Sequence, residues 1–214
     1  MMQYDRRVRA LAACFSCVAG YVDSIGFLMT GGFFVSFMSG NSTRLGIGLA
    51  DGSSTAGFAA ALLATFVIGV MLGALTGRIA KARRRPAVLG LVTVLLATAL
   101  LAHTLGAGVL AVIPMVLAMG AENTVFAEDG EVRIGLTYMT GTLVKLGKRL
   151  TAALLGGDPL GWTPFLLLWL GLLTGAVTGA LAYRSFGVHA LLGAVLIMAT
   201  LTLVTARLER DRGR

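Results

Sequence analysis

Six apolar runs divide this chain, at about residues 8–30, 55–77, 86–105, 109–126, 164–183 and 189–206. Each is about 18–23 residues long, enough to cross a hydrocarbon core of roughly 30 Å at about 1.5 Å per helical residue. A chain with this much apolar sequence has nowhere to put it in water. Only 13% of its 214 residues are charged, where a soluble domain carries about 25%, and mean hydropathy is +0.85. Within a bilayer the backbone N–H and C=O groups must be satisfied inside the protein. The runs therefore predict an all-α membrane protein with six transmembrane helices, and residues 1–214 form a single integral membrane domain.

The punctuation between runs agrees. Asp51, Gly52, Ser53 and Ser54 form one loop, Gly106 and Gly108 mark a tight turn, and Gly156, Gly157, Asp158 and Pro159 form another loop. Pro86 suits the first position of the third helix, and Pro114 predicts a kink in the fourth. Glu128, Asp129, Gly130 and Glu131 read as an acidic turn. Arg6, Arg7 and Arg9 before an apolar run resemble the start of a secretory signal, but the run continues to Met29, beyond a signal core.

Loop charge sets the expected orientation. With the N-terminus in the cytoplasm, only Arg44 and Arg184 of the 18 Lys and Arg residues fall on the outer side. That bias predicts six spans with both termini cytoplasmic. The net charge of +8 is then an attraction to anionic headgroups of the lipid bilayer. It does not call for nucleic acid as a partner.

A polar stretch recurs. SFMSGNSTRLGIGLA (36–50) matches TYMTGTLVKLGKRLT (137–151), so that Met38 falls on Met139, Ser39 on Thr140, Gly40 on Gly141, Asn41 on Thr142 and Arg44 on Lys145. Two glycine series match as well: Gly69, Gly73 and Gly77, and Gly171, Gly175 and Gly179. Glycines four apart lie on one helix face and admit a close neighbour. That neighbour is another helix of this chain or a second copy in a homodimer. AGYVDSIGF (19–27) resembles MGAENTVFA (119–127), setting Asp23 opposite Asn123. Each half, about 8–105 and 107–207, is thus helix, short polar element, helix, helix. An odd number of spans per half turns the second upside down, so the expected architecture is a 3+3 inverted repeat. Each M-[ST]-G stretch is then a broken-helix or re-entrant element, or alternatively an interfacial amphipathic helix, as the Leu146, Leu150 and Leu154 spacing would suit.

A carboxylate within a span is costly unless paired or wetted. Asp23 lies about two-thirds along the first helix, and Glu122 near the end of the fourth. By repeat logic Asp23 pairs with Arg44, and Glu122 or Asn123 with Lys145; the alternative for Asp23 is to reach the interface or cap a neighbouring helix. Gly40 and Gly141 allow sharp turns, and helix starts at this depth present unpaired N–H groups that favour an anion.

Other chemistry is not signalled. Cys14 and Cys17 sit one turn apart in an apolar helix, without the further ligands of a zinc site or the βαβ setting of a redox motif. His103 and His189 do not align between the halves and read as interface residues. No HExxH, P-loop or GxSxG occurs, so no enzyme activity, cofactor or metal is expected. Trp162 fits a membrane-interface anchor.

At AGYVDSIGF (19–27), FMSGNSTRLG (37–46) and TYMTGTLVKL (137–146) the chain resembles the YoaK-like family, six-helix bacterial inner-membrane proteins classed as a domain of unknown function. The resemblance covers essentially the whole chain. It implies the six-span fold, a place in a bacterial inner membrane, and no substrate.

The expectation for function is therefore a small transporter or channel. Its substrate is a small anion or carboxylate bound between the halves by Asp23, Ser39, Gly40, Asn41, Arg44, Glu122, Asn123, Thr140, Gly141, Thr142 and Lys145. The competing reading is a non-transporting scaffold, sensor or assembly protein.

Overall fold

The computed structural model describes residues 6–125, 127–128, 131–132 and 137–212. The described residues form eight α-helices: α1 (Arg6–Met29), α2 (Met38–Ala50), α3 (Thr55–Ala80), α4 (Arg84–Thr104), α5 (Val112–Glu122), α6 (Met139–Leu154), α7 (Thr163–Phe186) and α8 (Leu191–Arg212). A hairpin of two short strands, β1 (Ala127–Glu128) and β2 (Glu131–Val132), pairs Glu128 with Glu131. The acidic turn read from the sequence falls partly here; Asp129 and Gly130 lie outside the described residues, as does Arg133.

Three helical tracts are long and apolar enough to cross a membrane: Arg9–Met29, Thr55–Thr104 and Thr163–Arg210. The second and third are 50 and 48 residues long, and each is broken by a single 3-10 turn. Lys81 breaks the second with φ 49°, in the left-handed region that side chains disfavour, and α3 and α4 pack against each other beyond it. Gly187 breaks the third at φ 58°, a conformation its missing Cβ allows. The shorter apolar helix Gly108–Glu122 supplies the sixth of the runs read from the sequence.

Both prolines sit differently from expectation. Pro86 is in the first turn of α4 rather than at its first residue, because the helix begins at Arg84. Pro114 does not interrupt α5. A 3-10 turn at Gly108–Ala111 precedes α5, so Pro114 lies in the first turn of α5, where a missing N–H costs no helical bond.

The core sits among α1, α4, α5 and α8. Phe15, Val22 and Ile25 of α1, Leu89 and Leu96 of α4, Met115 and Met119 of α5, and Leu191 and Met198 of α8 are fully or almost fully buried. The flanking helices α3 and α7 turn Val67, Met71, Leu75, Ile79, Leu167, Val177 and Leu181 outward. An apolar surface that continuous suits lipid rather than water.

α3 and α7 reach this core through their glycines. α7 packs on α1, and α3 packs on α5. A methyl group on Gly175 would strike the backbone of Cys17, and one on Gly179 would strike Tyr21 and the Ser24 hydroxyl. On the other side, a methyl on Gly69 would strike Leu117, and one on Gly73 would strike Ala121 and the Thr124 hydroxyl. The partner helices answer in kind: Gly20 meets the backbone of Leu172 and Ala176, while Gly120 meets that of Phe66 and Val70. Judged by partners, Gly69 corresponds to Gly175 and Gly73 to Gly179. That register is one turn away from the sequence alignment, which set Gly69 on Gly171. These glycine faces are filled within the chain and offer no seat for a second copy.

Candidate functional site

The site begins where α1 ends. Thr30 closes the helix by donating its hydroxyl to Gly26 O (2.8 Å), and Gly31 and Gly32 turn the chain back with φ 69° and 119°. Residues 33–37 then run beside α1. Asp23 Oδ1 accepts the N–H groups of Val35 (2.8 Å) and Ser36 (2.7 Å). Asn41 holds the same segment from the other side: its Oδ1 accepts Phe34 N–H (3.0 Å) and its Nδ2 donates to Phe34 O (2.7 Å). Thus the segment leading into α2 is held beside α1 six residues short of that helix's end at Met29.

The second copy starts similarly with different atoms. Asn123 follows the last residue of α5 and donates Nδ2 to Met119 O (2.9 Å). Its Oδ1 accepts the Thr137 hydroxyl (3.1 Å) just before α6. Thr137 is the counterpart of Ser36, so in both copies the aligned residue, Asp23 within α1 and Asn123 just after α5, holds the residue two places before the motif methionine. Neither α2 nor α6 has a side-chain cap; their N-cap residues are Phe37 and Tyr138.

The two helix starts border a common cavity. Ser36, Phe37, Met38 and Ser39 of the first copy, and Thr137, Tyr138, Met139, Thr140 and Gly141 of the second, line one cavity of about 240 Å³ together with Phe66. A larger cavity of about 540 Å³ adjoins it, sharing Ser36, Phe37, Thr137, Met139 and Thr140. Its further lining is mostly apolar: Gly20, Phe27, Leu28, Phe34, Leu143, Leu172, Ala176 and Ala180, with Asp23 and Ser24.

The chain matches, over residues 11–204, the model of the family described as protein of unknown function DUF1275. It belongs to this family. It is also 37% identical, over 95% of its length and 87% of the other's, to the UPF0700 transmembrane protein RA0705 of Rhizobium meliloti (strain 1021). No solved structure matches it. This DUF1275 chain is thus a membrane protein, as its runs required, in a family whose biochemical role is open.

The residues singled out from sequence separate into groups. Asp23, Ser39, Thr140 and Gly141 line the cavities. Asn123 supports them through Thr137. Asn41 and Thr142 are buried and serve the local fold; Thr142 donates to Tyr138 O (3.2 Å). Gly40 faces the Phe34 and Phe37 rings, which a side chain there would strike. Gly46 and Gly147, farther along each motif, face open space.

The two expected ion pairs do not form. Asp23 spends Oδ1 on backbone N–H groups, while Arg44 lies over the Phe33 ring, 5.0 Å from its centroid. Lys145 is exposed on α6, whereas Glu122 is fully buried in the core with neither carboxyl oxygen bonded. Arg44 and Lys145 line neither cavity, so the cations meant to attract a small anion stand away from the place where it would bind.

Sequence reasoning passed over Ser36, Thr137 and the aromatic lining. The first two were legible as the aligned hydroxyls opening each repeat copy. It also treated His103 and His189 as unrelated, yet their rings lie 5.6 Å apart, centroid to centroid. The described cysteines are free: Cys14 is exposed and Cys17 half-buried.

Proposed function

We propose that this protein is a small transporter or channel whose pathway passes between the N-terminal ends of α2 and α6. The observation that carries this reading is the shared 240 Å³ cavity, with Ser39 from one motif and Thr140 from the other on its wall. Helices that start inside a membrane are tolerated where they line a cavity, and transporter sites form between such half-helices. A scaffold has no need of a cavity bounded by both motifs.

The reading includes a 3+3 inverted repeat with α2 and α6 as its re-entrant elements, both termini in the cytoplasm, and a bacterial inner membrane. What supports the repeat is the recurrence of one set of contacts: α7 on α1 and α3 on α5, with Gly20 and Gly120 answering alike. What supports the re-entrant reading is the Asp23 carboxylate, which holds the entry to α2 beside α1 at a point six residues short of that helix's end at Met29. No chemical step is assigned to any residue, and the chain is taken as a non-enzyme.

Single cysteines test the pathway. In a background with Cys14 and Cys17 replaced by alanine, Ser39→Cys and Thr140→Cys should each react with a small, membrane-impermeant thiol reagent. Lipid-facing positions on α3, Met71→Cys and Leu75→Cys, should not. Silence at both positions from both sides of the membrane would sink the pathway.

A further inference from the structure

We propose that the 540 Å³ cavity binds a hydrophobic organic cation, with its charged centre between the Asp23 carboxylate and the rings of Phe27, Phe34 and Phe37. The inference rests on reading this cavity as the substrate site and gives that substrate a class and a sign.

Asp23 is the one charged side chain among the described residues lining the cavity. Its Oδ1 accepts the N–H groups of Val35 and Ser36, and the Ser36 hydroxyl and the Phe37 N–H also reach the carboxylate. All of these donors are neutral, and no Lys or Arg among the described lining residues offsets the carboxylate's charge at the cavity wall. Beside it stand three rings in contact: Phe27 and Phe34 with centroids 4.8 Å apart, and Phe34 and Phe37 at 5.1 Å and nearly perpendicular. Ring faces are electron-rich, and a cation over them is attracted more strongly when water is excluded. An ammonium or phosphonium centre would satisfy both groups at once.

The rest of the lining selects the body of the ligand. Leu28, Leu143, Leu172, Ala176, Ala180 and Met139 give an apolar wall, and 540 Å³ falls in the range of small-molecule pockets, about 300–1,000 Å³. Leu28, Phe37 and Leu143 are also exposed on the outer surface, so a hydrophobic solute can enter from the bilayer.

The N-terminal ends of α2 and α6 oppose a cation, each with about half a positive charge. Val35 and Ser36, in the segment before α2, already give their N–H groups to Asp23. No Lys or Arg adds to that positive charge here, and the rings, which attract cations and repel anions, tip the balance.

The test uses two probes of one shape and opposite charge, tetraphenylphosphonium and tetraphenylborate, with the purified full-length protein in detergent. Tetraphenylphosphonium should bind saturably, and tetraphenylborate should neither bind at this site nor displace it. Asp23→Asn keeps an acceptor for Val35 and Ser36 and so keeps the fold; it should weaken the cation at least tenfold. Phe34→Leu keeps the volume and should weaken it severalfold. Equal affinity of Asp23→Asn and wild type for the cation, or tetraphenylborate binding as well as the cation, would overturn the inference. Charge-selective binding that needs Asp23, without flux of the cation into proteoliposomes, upholds this site and counts against transport. Flux of another solute without such binding does the reverse.

Discussion

The Ser36 N–H donates to Asp23 Oδ1 at 2.7 Å, and this bond ties the start of α2 to the interior of α1. A charged residue that would otherwise be a liability in a span is satisfied by backbone groups that would otherwise lack partners. Both costs are met by one contact. The second copy uses an amide and a hydroxyl, Asn123 and Thr137, so the same joint is made there without charge.

That joint gives the first prediction. Asp23→Ala strands two backbone donors, each worth about 1–3 kcal/mol when left unsatisfied, and should lower the thermal midpoint in detergent markedly. Asp23→Asn should lose far less. If alanine and asparagine are equally tolerated, the bonds to Val35 and Ser36 do not carry the entry to α2.

The glycine crossings give the second. A side chain at Gly175 would meet the Cys17 backbone, which cannot swing aside, and Gly73 stands the same way against Ala121. Gly175→Ala and Gly73→Ala should each cost about 1–3 kcal/mol, the usual penalty of overpacking. Gly46→Ala and Gly147→Ala face open space and should be neutral or slightly stabilising, since alanine is the better helix former. Thermal unfolding of the four variants side by side checks this; a flat series would mean that the helices do not approach as closely as described.

Glu122 gives the third. It is fully buried with neither carboxyl oxygen bonded, while its aligned residue Val22 packs as ordinary core. Glu122→Leu removes the desolvated group and should leave the protein at least as stable as wild type, with a gain of about 1–3 kcal/mol within reach. A loss of similar size would reveal a partner for this carboxyl.

Much of this was legible in the sequence, for identifiable reasons. The six apolar runs marked the apolar helices because length and hydropathy act over many residues. The M-[ST]-G repeat marked the two helices whose starts border a common cavity. The ion pairs failed because repeat logic placed Arg44 near Asp23 in sequence order, without showing that a ring at Phe33 and the N–H groups of Val35 and Ser36 would take up the two charges. The glycine register slipped by a turn because a spacing of four matches itself when shifted by four. Only the backbone partners, Cys17 for Gly175 and Leu117 for Gly69, resolve it. The aromatic lining was hidden for a further reason: in an apolar chain one phenylalanine looks like another until the fold gathers Phe27, Phe34 and Phe37 around Asp23.

The central claim is that the two motif helices begin at one place inside the membrane. The direct measurement is cross-linking of Ser39→Cys with Thr140→Cys by a short bifunctional thiol reagent, in native membranes and without Cys14 and Cys17. The account expects an intramolecular cross-link, seen as one bridged mass in the intact monomer. Two cysteines that each react singly, from opposite faces, and never bridge would contradict it.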